Sequence, residues 1–290
     1  ALIKCLSERP QIKVIMKASD WGNVSDTIDT RKYPVLIANK SEIQNVHRLL
    51  DAVGKPDFLF IHYHKDYLNE THNHWKDEFG LDTLSLMNAA DVYDYTNGVF
   101  RPELESDIAY IGGYWPYKSS TLDDYIVRIC NPTLNLNIKI YGNQGWSVPQ
   151  YCGAIDTELV KDVFASAKIC PNVSELHSRD LGYDIVERPF KLLSSKCFVI
   201  SDYVEGMAKL FNNDEVVFTK TSQEFISSIF YFLAHPKDML PYIHRGYKKV
   251  LDEHTYFQRA SDILSSLGFH NDAKHMESTK LNVFKELKLL

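Results

Sequence analysis

The fold class that the sequence predicts is α/β, with two doubly wound parallel-sheet domains in tandem. Short β-branched and aromatic runs alternate with amphipathic segments along the whole chain, a pattern typical of strand–helix–strand units. The stretch at 98–106, "GVFRPELES", interrupts this alternation and separates a smaller set of units from a larger one. With 290 residues the chain is long enough for two such domains. A single continuous sheet is the alternative organisation.

The strands are predicted from short apolar runs that are bounded by polar or turn-forming residues. Before the interruption these runs lie at 13–19, 34–39, 58–64 and 83–87, and after it at 107–112, 137–142, 168–173, 197–201 and 215–219. Because each run is short and is followed by a helical pattern, the strands are predicted to pair in parallel.

The helices between the strands are predicted from apolar positions at helical spacing. One stripe consists of Leu159, Val160, Val163, Phe164 and Ala167, and another of Phe225, Ile226, Ile229, Phe230 and Leu233, ending at His235-Pro236. Three more helices are predicted at 238–252, 256–267 (closed by Gly268) and 276–289. We therefore expect an N-terminal domain at 1–103, a C-terminal domain at 104–270, and a final helical segment at 271–290 that packs back on the N-terminal domain.

The composition excludes several classes of protein. The net charge is −6, so the chain lacks the basic surface that nucleic-acid binding needs. No apolar run reaches the roughly 18 residues of a membrane span. Five scattered cysteines without C-x-x-C spacing indicate reduced thiols and predict a cytoplasmic location. The chain begins with Ala rather than Met, so we expect missing upstream residues or one domain of a longer chain.

The first candidate binding segment follows the run at 107–112. Ligands of open parallel sheets bind beyond the carboxyl ends of the strands. Gly112 and Gly113 stand at such an end and would let a ligand approach the backbone closely. Lys118 and a predicted helix start follow, and both attract anions. The alternative is a tight turn with a solvated lysine.

The second candidate segment follows the run at 168–173. After a long polar loop, "ERPFK" places Pro189 in the first turn of a predicted helix. Arg188 and Lys191 flank this helix start, and two cations beside free backbone N–H groups suit a diphosphate. The alternative is that Glu187 and Lys191, spaced i,i+4, pair on the helix surface. No G-x-G-x-x-G fingerprint occurs, which disfavours a nicotinamide oxidoreductase.

Residues from about 107 to 268 resemble the C-terminal domain of GT-B glycosyltransferases, in particular their CgeB-like (spore-maturation-protein-type) group. The resemblance is carried by "IAYIGGYWPYK", "IKIYGNQGW", "ERPFKLLSSKCFVISD" and the helical tail that begins at "FYFLAHPKDM". Further upstream, "NAAD" at 88–91 resembles the interdomain segment of the family. The resemblance implies a GT-B-like architecture of two Rossmann-like domains facing a cleft, with the N-terminal domain small or truncated.

The resemblance also implies a donor site in the C-terminal domain. A nucleoside diphosphate sugar, UDP- or GDP-linked, would bind there without a metal ion or cofactor, with the hydroxyl acceptor on the N-terminal domain. Lys191 stands where the family has a glutamate usually assigned to the ribose hydroxyls, so either Lys191 contacts phosphate or Glu187 supplies the carboxylate. The donor-site residues implied are Gly112, Gly113, Tyr114, Lys118, Gly142, Trp146, Asn172, Arg188 and Lys191.

Three side chains are candidates for catalysis. Asp20 follows the first predicted strand and could deprotonate an acceptor hydroxyl, although it could equally cap a turn. His64 stands at a predicted strand end facing the cleft, where it could contact the sugar or acceptor, or be a structural histidine. Glu187 is the carboxylate nearest the donor site in sequence. The two H-x-H pairs in "HYHKDYLNETHNH" at 62–74 leave a zinc site as a further alternative.

The function that these observations predict is transfer of a sugar from a nucleoside diphosphate sugar to a hydroxyl of a glycan or similar acceptor. Retention of the anomeric configuration is implied by the family alone. A nucleotide-sugar epimerase and a catalytically silent sugar-nucleotide- or glycan-binding module are the alternatives. The sequence identifies neither the base, nor the sugar, nor the acceptor.

Overall fold

The computed structural model describes residue 9, residues 11–18 and residues 39–289. Asp20 lies outside the described residues, and so does most of the predicted strand at 34–39. The last residue of that predicted strand, Asn39, is the first residue of a helix.

The described strands form two separate sheets, so the alternative of one continuous sheet is wrong for this part of the chain. The strands are β1 (Ile15–Lys17), β2 (Phe58–Ile61), β3 (Thr83–Ser85), β4 (Ser106–Ile111), β5 (Ile138–Tyr141), β6 (Ala167–Asn172), β7 (Val199–Asp202) and β8 (Val217–Thr219). Their order is β1-β2-β3 in the first sheet and β5-β4-β6-β7-β8 in the second. Every pairing is parallel, as the alternating pattern predicts, and each strand lies on a predicted one.

Helices connect the strands and close the chain. They are α1 (Asn39–Val53), α2 (Leu68–Phe79), α3 (Val92–Tyr95), α4 (Ser119–Leu122), α5 (Val160–Ser166), α6 (Leu176–Leu181), α7 (Arg188–Ser194), α8 (Glu205–Leu210), α9 (Ser222–Ala234), α10 (Met239–Glu253), α11 (Tyr256–Ser266) and α12 (His270–Glu286). None of the described helices is long and apolar enough to cross a membrane.

Two helix predictions differ from the structure. Ala167 was predicted in the stripe of α5, but it begins β6, because it pairs with Ser106 of β4. The last helix was predicted from 276 and begins at His270, directly after Gly268 and Phe269. Gly268 has a φ of +82°, the left-handed conformation that ends the preceding helix.

The second sheet is covered by helices on both faces, as in a doubly wound fold. Ile169 and Ile200 belong to the cluster that contains Phe225 of α9. The neighbouring strand residues Cys170 and Val199 belong to the cluster on the opposite face. Successive strand side chains point to opposite faces, and both faces are buried, so these strands read as nearly continuous apolar runs.

The segment that joins the two sheets is held by the C-terminal helices. Ala90 N donates to His254 O at 2.8 Å, and Tyr256 N donates to Ala90 O at 3.2 Å. The buried Arg259 donates from Nε to Met87 O at 2.8 Å. Val283 and Phe284 of α12 lie in one apolar cluster with Val92 and Leu251. The domain limits at 103 and 270 stay a prediction.

Candidate functional site

A cavity of about 410 Å³ opens at the carboxyl ends of β4 and β6. Ile111 is the last residue of β4, and Val173 directly follows β6. The cavity is lined by Tyr95, Ile111, Lys118, Thr157, Val160, Phe164, Val173, Glu175, Val186, Glu187, Arg188 and Lys191. The structure therefore brings the three predicted cations and the predicted carboxylate to one place, although they come from two separate segments of the sequence.

The glycines at this edge allow the ends of β4 and β5 to approach each other. A Cβ on Gly142 would lie 2.5 Å from the carbonyl oxygen of Gly112. Trp146 donates from Nε1 to the same carbonyl at 2.9 Å, and Tyr151 donates to Gly142 O at 2.8 Å. Gly113 is also crowded, since a Cβ there would lie 2.9 Å from Nε1 of Trp115. The glycine turn is thus packed against the loop after β5.

The aromatic and amide residues predicted for the donor site lie beside the cavity rather than in its wall. Trp146 is only 6% exposed. The Tyr114 ring contacts the Trp146 ring edge-on, and the Tyr114 hydroxyl donates to Asp123 Oδ1 at 2.8 Å. Asn172, at the end of β6, is fully buried and donates to Ser201 Oγ at 2.9 Å. None of these three residues is among the described residues that line the cavity.

Lys118 is paired with a carboxylate that the sequence did not reveal. Its Nζ lies 2.6 Å from Glu175 Oε1, with the two side chains 25% and 15% exposed. Glu175 comes two residues after Val173, in the polar loop beyond β6. The sequence offered no signal for this pair, because the loop carries neither a period nor a motif.

Arg188 has a different environment. Its guanidinium lies 4.8 Å from the centre of the Tyr110 ring and donates to Val173 O at 3.2 Å. Among the described residues, no carboxylate lies within 4.0 Å of this guanidinium. A half-buried cation in a cavity wall, held by a ring and a carbonyl, is suited to an anionic ligand.

Glu187 and Lys191 form the i,i+4 pair that the sequence left open as an alternative. The distance from Lys191 Nζ to Glu187 Oε2 is 2.6 Å, and Tyr256 donates to the other carboxylate oxygen at 3.2 Å. Burial lowers the pKa of Lys191, but the hydrogen bond to Glu187 outweighs it, and the pKa is raised overall. Lys191 also lies over the ring of Tyr95 at 5.3 Å. Both charged groups still face the cavity.

His64 is not among the residues that line this cavity. It is buried, and its Nδ1 accepts from Asp66 N at 3.3 Å at the start of a 3₁₀ turn. Burial lowers its pKa. These contacts support the second role that the sequence allowed for His64, which is that of a structural histidine. Within the described ranges, no group of three or more His, Cys, Asp or Glu side chains could hold a metal ion.

A polar cluster that sequence reasoning missed joins the two sheets. His62 is the residue after β2, and its Nε2 lies 2.9 Å from Asp184 Oδ1. His177 Nε2 lies 3.5 Å from Asp184 Oδ2 and 3.5 Å from Glu175 Oε2. Burial by itself would raise the pKa of Asp184, but the hydrogen bonds with His177 and His62 outweigh it and hold the pKa well below its ordinary value. Asp184 is therefore a charged carboxylate at neutral pH.

Solved structures identify the architecture. The chain is similar to sucrose-phosphate synthase from Thermosynechococcus elongatus, with a TM-score of 0.58 and 11% identity over 95% of this chain and 71% of that one. It is similar to HepE from Anabaena, determined in complex with UDP and glucose, with a TM-score of 0.59 and 10% identity over 90% of this chain and 73% of that one. The chain has the GT-B fold.

A third GT-B structure extends the comparison. S. aureus TarM, determined with fondaparinux, α-GlcNAc-glycerol and UDP, matches with a TM-score of 0.58 and 11% identity over 87% of this chain and 50% of that one. This chain thus spans only half the length of TarM. No protein of curated function matches the sequence.

The family comparison agrees with the GT-B fold. Residues 127–265 match a family described as "Glycosyl transferase-like", and this segment contains Arg188, Glu175 and Asp184. The chain thus has the GT-B fold, and its segment 127–265 is similar to this glycosyltransferase-like family. The match is to the broad family, and membership of the CgeB-like group stays a prediction.

Proposed function

We propose that this chain is a glycosyltransferase that binds a UDP-linked sugar in the cavity at the ends of β4 and β6. The sugar is transferred to a hydroxyl group of a glycan or a similar acceptor. The observation that carries the proposal is the environment of Arg188, a cation in the cavity wall with no carboxylate within 4.0 Å among the described residues.

The charges of the cavity suit a diphosphate. Lys118, Arg188 and Lys191 line it together. A planar guanidinium binds phosphate oxygens in a bidentate manner, and lysines add point charges. Fixed cations stabilise the negative charge that develops on the leaving diphosphate. The proposed reaction therefore takes place without a metal ion.

The choice of UDP and the stereochemistry are parts of the same proposal. HepE and TarM, which share the fold, were determined with UDP, which favours UDP over GDP. The resemblance to the family favours retention of the anomeric configuration. The acceptor would enter from the side of the first sheet, where His62 follows β2 and faces the second sheet through Asp184.

Thermal shift with UDP, GDP, ADP, CMP, dTDP and their common sugar conjugates tests the donor site. A nucleotide at about 100 times its dissociation constant stabilises the fold by roughly 2.7 kcal/mol, which is a shift of roughly 4–5 °C for a chain of this size. We expect UDP and one UDP-sugar to stand out. No shift with any nucleotide would refute the donor site.

Product analysis then tests the reaction. Release of UDP from the selected donor, with and without a panel of glycan acceptors and with and without EDTA, should rise with one acceptor and be unaffected by chelation. The NMR coupling of the new anomeric proton reports retention or inversion. Binding of UDP without any release from a donor would instead identify a silent binding module.

A further inference from the structure

Glu175 lies between two groups that can neutralise its charge. One carboxylate oxygen is 2.6 Å from Lys118 Nζ, and the other is 3.5 Å from His177 Nε2. The His177 side chain is only 5% exposed, and Glu175 is 15% exposed. A carboxylate this deep in the protein requires a cationic or hydrogen-bonding partner, because leaving a buried charge unpaired is costly.

Donor binding creates a conflict at this carboxylate. The argument rests on the proposed function, in which a diphosphate occupies the cavity that Lys118 and Glu175 both line. Lys118 can then neutralise either the diphosphate or Glu175. A diphosphate beside an uncompensated Glu175 would place like charges close together at low dielectric, which strongly opposes binding.

His177 is placed to resolve this conflict. Its Nε2 is equidistant, at 3.5 Å, from carboxylate oxygens of Glu175 and Asp184. Asp184 stays ionised at neutral pH, since its hydrogen bonds with His177 and His62 hold its pKa well below the ordinary value despite burial. An imidazolium at His177 would therefore lie between the carboxylates of Glu175 and Asp184.

Two further charged side chains in the described part of the chain, His62 and Arg179, have partners of their own. His62 lies on the far side of Asp184, at 2.9 Å from its other oxygen. Arg179, on the same helix as His177, lies 3.6 Å from Asp202 and donates to the hydroxyl of Tyr125 at 3.3 Å.

We propose that Glu175 is a positioning residue of the donor site, which holds Lys118 until the diphosphate binds and then transfers its pairing to His177. Lys118 moves from the carboxylate to a phosphate oxygen, and the imidazole of His177 binds one proton from the solvent. The charges balance, because the new imidazolium replaces the ammonium beside Glu175. Donor binding is consequently coupled to the uptake of a proton.

The test is isothermal titration calorimetry with UDP-glucose in phosphate and Tris buffers at the same pH. The diphosphate of UDP-glucose is esterified at both ends and lacks the ionisation near about pH 6 of a terminal phosphate, so any proton exchanged belongs to the protein. We expect the wild type to take up close to one proton at pH 8. Its dissociation constant should fall by up to about tenfold per pH unit as the pH decreases from 8.5 toward 7.

The variants separate positioning from mere structural support. His177→Asn should take up no proton and bind UDP-glucose more weakly, whereas the exposed His275→Asn is the matched control and should behave as wild type. Glu175→Gln should also take up no proton, but should bind no more weakly than wild type at pH 8, because Lys118 no longer has a competing anion. A purely structural Glu175 would instead give weaker binding with the proton uptake intact.

Failure of this inference can be distinguished from failure of the proposed function. Binding of UDP-glucose without proton uptake, or with the same uptake in His177→Asn, overturns only the coupling. Absence of any heat of binding to UDP-glucose, together with no shift in the nucleotide screen, refutes the donor site itself. Thermal melts of each variant confirm that it is folded. If one of the two variants does not fold, the proton uptake of the other still tests the coupling.

Discussion

Replacement of Arg188 by alanine should weaken UDP binding far more than it weakens the fold. In the proposed complex the guanidinium donates charge-assisted hydrogen bonds to phosphate, which contribute about 1.5–3 kcal/mol. This corresponds to a rise in the dissociation constant of roughly 10- to 150-fold. The planar geometry also matters, so Arg188→Lys should lose a large part of the affinity even though it keeps the charge.

The effect of the same substitution on stability can be derived from the contacts of Arg188. The guanidinium stacks on Tyr110 at 4.8 Å, an interaction of about 0.5–2 kcal/mol. It also donates to Val173 O at 3.2 Å, a hydrogen bond of about 0.5–1.5 kcal/mol. The free energy of unfolding should therefore fall by about 1–3.5 kcal/mol, which leaves the variant folded at 25 °C.

Calorimetric titration with UDP, at two salt concentrations, measures the binding effect, and urea unfolding measures the stability. The matched control is Arg245→Ala, which removes an exposed arginine paired with Asp214 at 3.1 Å and should leave UDP binding unchanged. The reasoning is refuted if folded Arg188→Ala binds UDP within twofold of the wild type, because the cavity would then not hold the diphosphate at this residue.

Three further changes test the packing and charge of the site. Gly142→Ala places a Cβ 2.5 Å from a carbonyl oxygen of the facing strand end and should lower the free energy of unfolding by about 1–3 kcal/mol. In the control Gly145→Ala the new Cβ meets its nearest atom at 3.9 Å, and the free energy of unfolding should change by about 0.5 kcal/mol or less. Urea unfolding of both variants measures the difference. Asp184 has a lowered pKa in the folded state, so its contribution to stability is complete above pH 3.8, the ordinary pKa of the group, and is lost as the pH falls further. The difference in free energy of unfolding between wild type and Asp184→Asn should therefore be full at pH 7 and shrink below pH 3.8, and a difference that stays constant would contradict this expectation. Phe190→Ala empties a fully buried site and should cost about 3–5 kcal/mol, measured by the midpoint of urea unfolding, with little change in UDP affinity where the protein remains folded.

The strands and the position of the cavity could be predicted because both depend on local patterns. A parallel sheet buried on both faces requires short apolar runs, and these are visible in the sequence. Parallel strands also end at one edge, so Lys118 and Arg188 were expected at the same place although 70 positions separate them, and both line the cavity. Their binding of a diphosphate stays a prediction that the titrations above address.

The predictions for His64 and for the pair of Glu187 and Lys191 were less decisive. The sequence allowed His64 either a substrate contact or a structural role, and burial with the Asp66 hydrogen bond supports the structural one. Spacing i,i+4 allowed Glu187 and Lys191 to pair, and they do so at 2.6 Å. No local pattern distinguishes a solvated pair from one that lines a cavity, since that depends on which helices pack nearby.

The sequence by itself determined the α/β class, the parallel strands and the edge of the sheet where charged groups collect, because apolar periodicity and strand ends are properties of contiguous residues. Only the tertiary structure decided which of those charges face one another. His62 and Asp184 meet across 122 positions, and Glu175 reaches both Lys118 and His177 from a loop without any repeating pattern. Ion pairs of this kind depend on the path of a loop and on the packing of distant elements, and neither is recorded in local spacing.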